Sequence, residues 1–428
     1  MIFLDCVLLL LCLSATWFYC YAIYAAVDFF GRPDIKLQSN IVDNEKDKGD
    51  KGDKGAVVSL SECKGLRLNA TGYESIDPDF QPPVTILKPI CGLDSDTYEN
   101  LASFCQQDYP QYQIIFGVRD AQDAVVEVVQ KIIYNFPDID IQLVVSDRTI
   151  GTNFKVSNLA NAQTEAKYSI LVIADSDIRV GVDYLRQIIQ PMRDSTVGVV
   201  TCLYRSLTRG WVAAIEALWI STQFAPSVLV ARKLDGIKFA FGSTIVIQKA
   251  VLEEIGGFLA IADYLADDFQ LGKLPTDAGY KVVLSDYVVE HVMPKASLAD
   301  SIKRQTRWGR GTRVSRPWGY FGLIFTHGTA TSLLFLLATQ GAILGWAVLG
   351  ITWSARLVMG WVVGVRYLKD PVARKFLWVV PLRDLISFIL WCYSFVGNAI
   401  EWRGRRLRLI KGGKLVPLVA DTGKTYAN

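Results

Sequence analysis

Leu171-Val172-Ile173-Ala174-Asp175-Ser176-Asp177-Ile178-Arg179-Val180 is the stretch whose reading decides the fold. Strand-forming apolar residues run into Asp-x-Asp, so two carboxylates leave a buried strand two positions apart at its C-terminal end. Open α/β sheets keep their ligands at that end. Two hard oxygen donors on a tight turn suit Mg2+ or Mn2+, which needs only one or two protein carboxylates when a diphosphate completes its shell. This points to a nucleotide-sugar site. An acidic turn that merely caps the next helix fits the bare Asp-x-Asp as well, so the surrounding chain has to decide.

Strands and helices alternate on both sides of it. Val84 to Pro89, Tyr112 to Val118 and Ile139 to Ser146 read as strands; helices near Leu101, Ala124 to Phe136 and Phe154 to Ala166 separate them. Such alternation predicts an α/β, doubly wound and mostly parallel sheet over residues 82–315. Val197 to Tyr204, Phe239 to Gln248 and Tyr280 to Leu284 add strands beyond the motif. Gly210 to Arg232 is a long apolar stretch that suits either a core helix or a segment lying against a bilayer.

The flanks are apolar. Ile2 to Val27 is long enough to cross roughly 30 Å of hydrocarbon and carries interfacial Trp17, Tyr19, Tyr21 and Tyr24, so residues 1–30 are expected to be an uncleaved anchor. Residues 31–81 form a polar linker with an Asp-Lys-Gly repeat at 46–55, without the proline of collagen. Residues 316–402 supply further membrane helices, and 403–428 form a basic tail. Three C-terminal spans would leave that tail outside, against the positive-inside rule if the catalytic domain is cytoplasmic; Arg383-Asp384 marks one segment as re-entrant or interfacial.

Composition narrows the chemistry. A formal charge of +3 over 428 residues lacks the footprint of a nucleic-acid binder. Eight cysteines without Cys-x-x-Cys suit a reducing compartment, and two histidines supply neither a His-rich zinc site nor, with ease, a Ser-His-Asp triad. Acid-base work falls to carboxylates.

Five stretches in fixed order carry a resemblance: KPICGLD (Lys88 to Asp94), GVRD (Gly117 to Asp120), ADSDIRV (Ala174 to Val180), YLADD (Tyr264 to Asp268) and RQTRW (Arg304 to Trp308). Together they resemble the membrane-bound inverting glycosyltransferases of the ceramide glucosyltransferase family. VTCLYR (Val200 to Arg205) and PSVLVAR (Pro226 to Arg232) look similar to its bacterial branch, which includes transferases of hopanoid biosynthesis. The resemblance implies a GT-A fold with a doubly wound mixed sheet, a UDP-sugar donor and a membrane-lipid acceptor met at the bilayer. Transfer of a hexose, glucose first, to the hydroxyl of ceramide is the leading expectation. Transfer of N-acetylglucosamine or another hexose to a hopanoid or diacylglycerol, a processive polysaccharide synthase, and a non-catalytic membrane scaffold are the alternatives. The synthase needs more spans for a channel than this chain offers, and the scaffold would favour loss of acidic stations that are all present.

By resemblance, Asp94 and Asp120 serve the nucleotide end, Asp268 is the general base, and Arg304, Arg307 and Trp308 form the Arg-Trp motif, in which two guanidinium forks can clasp the diphosphate while the indole supplies a wall; Asp175 and Asp177, as paired hard ligands, would hold the metal on the diphosphate. Animal relatives carry Asp-Ser-Gly where this chain has Asp175-Ser176-Asp177, so metal ligation does not transfer from them. The residues themselves allow other duties. Asp120 at a strand end can accept a uracil N–H, and Asp94 can equally cap a helix. Lys155, before a helix, can neutralise phosphate or stay solvated. An inverting transfer needs a carboxylate opposite the departing nucleotide, which Asp268 supplies unless it or Asp267 only caps the helix it opens. The arginines three apart share one helix face, as would a juxtamembrane basic belt.

Overall fold

The computed structural model describes residues 2–31, 77–94 and 96–418. The Asp-Lys-Gly run lies outside the described residues, as does the chain after 418.

Eight strands form the central sheet: β1 (Val84–Ile90), β2 (Tyr112–Val118), β3 (Asp140–Val145), β4 (Ile170–Ile173), β5 (Ile178–Arg179), β6 (Val197–Thr208), β7 (Ile245–Gln248) and β8 (Lys281–Met293). Their order is β3-β2-β1-β4-β7-β6-β8-β5. The half from β3 to β4 is parallel, as alternating strands and helices predict. Beyond β4 the sheet is mixed, because β7 runs antiparallel to both β4 and β6, and β5 antiparallel to β8. The expectation of a mostly parallel sheet therefore holds for one half only. All seven residues of β1 and of β2 are buried, the pattern of strands covered on both faces. Phe239 to Gln248 is strand only from Ile245, and β8 extends nine residues past the expected end at Leu284, to Met293. That extension carries His291 to the central motif, where Ile178 pairs with it.

Four described helices are long and apolar enough to cross a membrane: Phe3–Phe30, Trp211–Asp235, Ile343–Tyr367 and Pro371–Ser394; the pair Pro317–Thr326 and Gly328–Ala338, bent by 55°, makes a possible fifth. They pack on each other. Tyr19 donates to the Thr326 carbonyl at 2.9 Å and accepts from the Gly328 N–H at 3.0 Å, while Arg232 and Lys233 pair with Asp28 at 3.5 and 3.1 Å. Arg383 and Asp384 are buried among these helices: Arg356 donates to both Asp384 oxygens, at 2.7 and 3.0 Å, and Arg383 donates to Gln305 at 2.6 Å. The two charges that suggested a re-entrant segment are thus satisfied by partners on neighbouring helices, the condition for ionised groups at membrane depth.

The stretch expected to begin a basic tail is folded. Ala399–Trp402 (β9), Arg405–Leu409 (β10) and Leu415–Pro417 (β11) form a three-stranded antiparallel sheet in the order β11-β10-β9. Alternation explains it: Leu407, Leu409 and Leu415 pack with Ile400 and Leu265, while Arg406 and Arg408 face outward.

Candidate active site

Asp175 and Asp177 follow the C-terminal end of β4, with 37% and 39% of their side-chain surfaces accessible. Asp175 is held from both sides of its backbone: its N–H donates to the Gly242 carbonyl at 3.0 Å, and its carbonyl accepts from Lys88 Nζ at 2.9 Å. Lys88 lies in β1, fully buried, with Nζ over the Phe104 ring. Burial pulls its ammonium down to about 7, against the attraction of Asp175 and Asp177.

Lys155 joins the separate motifs. Its Nζ lies 2.7 Å from Asp175 Oδ1 and 3.0 Å from Asp267 Oδ2. Burial works against its charge, but Asp175, Asp267 and Asp268 together hold it well above the usual lysine range. Asn153 caps the Phe154–Gln163 helix through Oδ1, accepting from the N–H groups of Lys155 and Val156, and its Nδ2 reaches the Tyr264 carbonyl at 2.8 Å. The cap that starts the lysine's helix therefore also anchors the YLADD stretch. A lysine satisfied by two carboxylates is not a solvated surface residue.

Asp267 and Asp268 open the Asp267–Asp277 helix and have different surroundings. Asp267 is only 4% exposed and faces Lys155 and Asn153. Asp268 accepts from the Gly242 N–H at 3.1 Å and from the Phe269 N–H at 2.7 Å. Burial pushes its carboxyl up to about 6, Asp267 adds to the rise, and Lys155 opposes it. Gly242 thus touches Asp175 through its carbonyl and Asp268 through its amide. A Cβ there would press into the Asp175 carboxylate, so a larger residue must push that side chain aside.

Asp177 pairs with His291, Nε2 to Oδ2 at 3.3 Å. Burial, the largest influence, raises the Asp177 acid, but His291, Lys88 and a backbone hydrogen bond together outweigh it and the carboxyl lies below its ordinary value. The sequence reading gave His291 no role, and the signal was faint: a lone histidine at the end of a strand longer than the sequence suggests. Lys88 had a clearer one, a charged residue inside the apolar run VTILKPI.

Asp175 and Asp177 offer the hard, half-accessible oxygens that Mg2+ or Mn2+ takes. No group of three or more His, Cys, Asp or Glu side chains gathers among the described residues, so the fit is to a metal that shares its shell with substrate phosphates.

Asp94 and Asp120 sit exposed at the ends of β1 and β2, outside the cluster around Lys155. The Asp94 N–H donates to Thr97 Oγ1, and the Asp120 carboxylate accepts from the Gln122 N–H, a local turn. Asp94 does not cap the next helix, whose N-cap is Asp96. On the Leu298–Ser315 helix, Arg304 donates bidentately to the buried Glu216. Arg307 is left facing the acids; burial, with Arg304 and Arg403 nearby, lowers its guanidinium to about 10 while Asp175 and Asp268 support its charge. Trp308 stacks on Trp219 with centroids 6.2 Å apart. Arg304 therefore holds helix to helix through Nε and Nη2, whereas among the described residues no ion pair occupies Arg307.

The sequence profile of glycosyl transferase family 21 matches residues 55–415. Ceramide glucosyltransferase 1 of Caenorhabditis elegans is 24% identical over 362 residues, covering 80% of this chain and 75% of the relative. Ceramide glucosyltransferase of Candida albicans is 38% identical over 118 residues, 24% of this chain and 22% of that one. Among solved structures, a mannosyltransferase from Pyrobaculum calidifontis in complex with GDP-Man and Mn2+ aligns with a TM-score of 0.48 at 19% identity, over 75% of this chain and 87% of its own.

Proposed function

The chain belongs to glycosyl transferase family 21, and from that premise and the acidic site we propose that it transfers glucose from UDP-glucose to the hydroxyl of ceramide with inversion at the anomeric carbon. One observation carries the reading: Lys155 brings Asp175 of the strand-end motif and Asp267, the neighbour of Asp268, within 3.0 Å of a single ammonium. Donor acids and a base are thereby held against one another across more than ninety residues of sequence.

Asp268 is the base. Its carboxyl, raised to about 6, is ionised at neutral pH yet basic enough to take a proton from an attacking hydroxyl. Lys155 keeps Asp175 and Asp267 from repelling one another and fixes the pocket floor. Arg307 meets the diphosphate, Trp308 and Trp219 wall the pocket toward the membrane helices, and Asp120 and Asp94 face the nucleotide at its rim. Asp175 and Asp177 would hold Mg2+ or Mn2+, which when bound offsets charge on the leaving UDP. The catalytic domain faces the cytoplasm, where nucleotide sugars are made, and the apolar helices bring it to its acceptor.

Purified protein incubated with a panel of radiolabelled UDP-sugars against ceramide, diacylglycerol and a hopanoid polyol tests the reading. Label should enter glucosylceramide from UDP-glucose. Preferential labelling of a hopanoid or diacylglycerol, or of a polymer, would replace ceramide in this assignment.

A further inference from the structure

The antiparallel hairpin of β9 and β10 folds back over the nucleotide end of the sheet. Its root is pinned to the RQTRW helix: Arg310 donates to the carbonyls of Val396 and Ala399, Arg313 donates to the Gly397 carbonyl, and Lys303 pairs with Glu401 at 3.2 Å. The turn and the strand β11 that follow the hairpin are pinned to the YLADD stretch and the residue before it. There the Leu265 N–H donates to the Gly413 carbonyl at 3.1 Å, and the Leu415 N–H to the Asp263 carbonyl at 2.7 Å. A segment tied by side-chain bonds to the RQTRW helix and by backbone bonds to the YLADD stretch is part of the site's frame.

Arg403 stands at the tip, in a turn where it and Gly404 both have left-handed φ, +48° and +74°. A residue other than glycine is costly there, so an arginine in that place needs a reason. Its side chain extends over the first strand-to-helix loop, with Nη1 4.0 Å from the position a Cβ on Gly92 would take. Trp402 beside it lies under the Arg307 guanidinium, 5.5 Å from ring centroid to Cζ. Arg405, on the returning strand, donates to the Thr152 carbonyl at 3.0 Å and lies over Phe154, as does Arg119 from the end of β2. Four arginines from three separate parts of the chain, Arg119, Arg307 and the hairpin's Arg403 and Arg405, therefore surround the mouth at the C-terminal ends of β1 and β2. Among the described residues, no carboxylate lies within ion-pair distance of Arg307 or Arg403. Guanidinium groups gathered without a direct ion-pair partner, with Asp175 and Asp268 acting on Arg307 only from a distance, suit a polyanion supplied from outside.

We propose that the C-terminal hairpin is a working part of the donor site, and that Arg403 at its tip binds the diphosphate of the nucleotide sugar opposite Arg307. This rests on the glycosyltransferase reading and adds a ligand from outside its five motifs. The hairpin leaves a sugar nucleotide bounded by Asp175 and Asp177 on one side and two guanidinium forks on the other.

Full-length protein in nanodiscs, titrated with UDP and separately with inorganic pyrophosphate by calorimetry, tests it. Arg403→Gln should weaken both ligands by about tenfold or more, the usual worth of a charge-assisted contact. Arg403→Lys should recover part of the loss. Arg406→Gln removes the same charge from an outward-facing position on the same hairpin and should change neither. Unchanged affinity in Arg403→Gln, or an equal loss in Arg406→Gln, overturns the proposal. Protein that ignores UDP but still binds pyrophosphate through Arg403 would keep the anion site and overturn the UDP-sugar reading instead.

Discussion

Arg304 donates through Nε to Glu216 Oε1 at 2.6 Å and through Nη2 to Oε2 at 2.8 Å, and Ser301 adds a third hydrogen bond to Oε2 at 2.5 Å. Glu216 is fully buried in the apolar Trp211–Trp219 helix, so this fork fastens the Leu298–Ser315 helix to the membrane-side bundle. Removing one charge strands the other in a dry place. Glu216→Gln should destabilise the protein by about 3–5 kcal/mol, read as a fall in melting temperature in detergent, with UDP affinity per folded molecule preserved. Arg307→Gln should do the reverse, keeping the melting temperature and losing UDP. An Arg304→Gln variant that melts normally but loses UDP would return Arg304 to the diphosphate.

The legible parts of this chain were those with local causes. Apolar runs between turns gave β1 to β4, and Asp-x-Asp at a strand end gave the site's location. What sequence could not show was side-chain choice among equals. Arg304 and Arg307 share one helix face, and only the buried Glu216, 88 residues away, decides which is occupied. Lys155 read equally well as solvated, because its two carboxylate partners come from other motifs. The hairpin was missed for a related reason: its charged residues read as a tail, while the leucines that seat it pack on Leu265 from another stretch.

The two adjacent acids make a kinetic prediction. Asp268→Asn should abolish transfer, by roughly two to four orders of magnitude, while leaving UDP-glucose affinity near normal, since an amide matches the size of a carboxylate but cannot take the proton. Asp267→Asn should be milder in turnover. Near-normal transfer in Asp268→Asn with collapse in Asp267→Asn would exchange the two roles.

The pH profile gives a second readout of the same pair. Asp268 must be ionised to act, so turnover should rise with pH through about 6. Asp267 raises this carboxyl and Lys155 lowers it. Asp267→Asn should therefore move the acid limb down, and Lys155→Met should move it up. The stability linkage has the opposite sense: the folded carboxyl titrates above its ordinary 3.8, so its stabilising neutral form is complete below that value and lost as pH rises through about 6. An acid limb indifferent to both substitutions would remove Asp268 from the rate-determining proton transfer.

At the metal-facing turn, Asp177→Ala should make UDP affinity less sensitive to Mn2+ or Mg2+, because one hard ligand is lost. Calorimetry with and without chelator checks this independently of activity. His291 draws the Asp177 carboxyl below its ordinary value and donates to it. His291→Gln should keep metal dependence while weakening it. Full metal dependence in a folded Asp177→Ala protein would make that residue a structural partner of His291 only.

Gly242 is where the site has least room. Its carbonyl takes the Asp175 N–H at 3.0 Å, its N–H donates to Asp268 at 3.1 Å, and an added methyl would run into Asp175 Oδ2 and come within 3.2 Å of Asp175 Cγ and 3.3 Å of Lys155 Nζ. Real Cβ atoms do not approach an oxygen so closely, so Gly242→Ala must displace the Asp175 carboxylate or the strand end that carries it. The carboxylate is the easier to move, being 37% accessible, and it would swing off Lys155. Misplacing a positioning group by about 1 Å costs on the order of a hundredfold in rate. Gly242→Ala should therefore lose about that much transfer together with metal-dependent UDP binding, while the buried β4 and β7 strands keep the melting temperature close to wild type. Gly350→Ala is the matched control, since a Cβ at that helical position meets nothing within 4 Å. Wild-type turnover in Gly242→Ala would mean that the loop yields freely and that the two acids do not depend on this spacing.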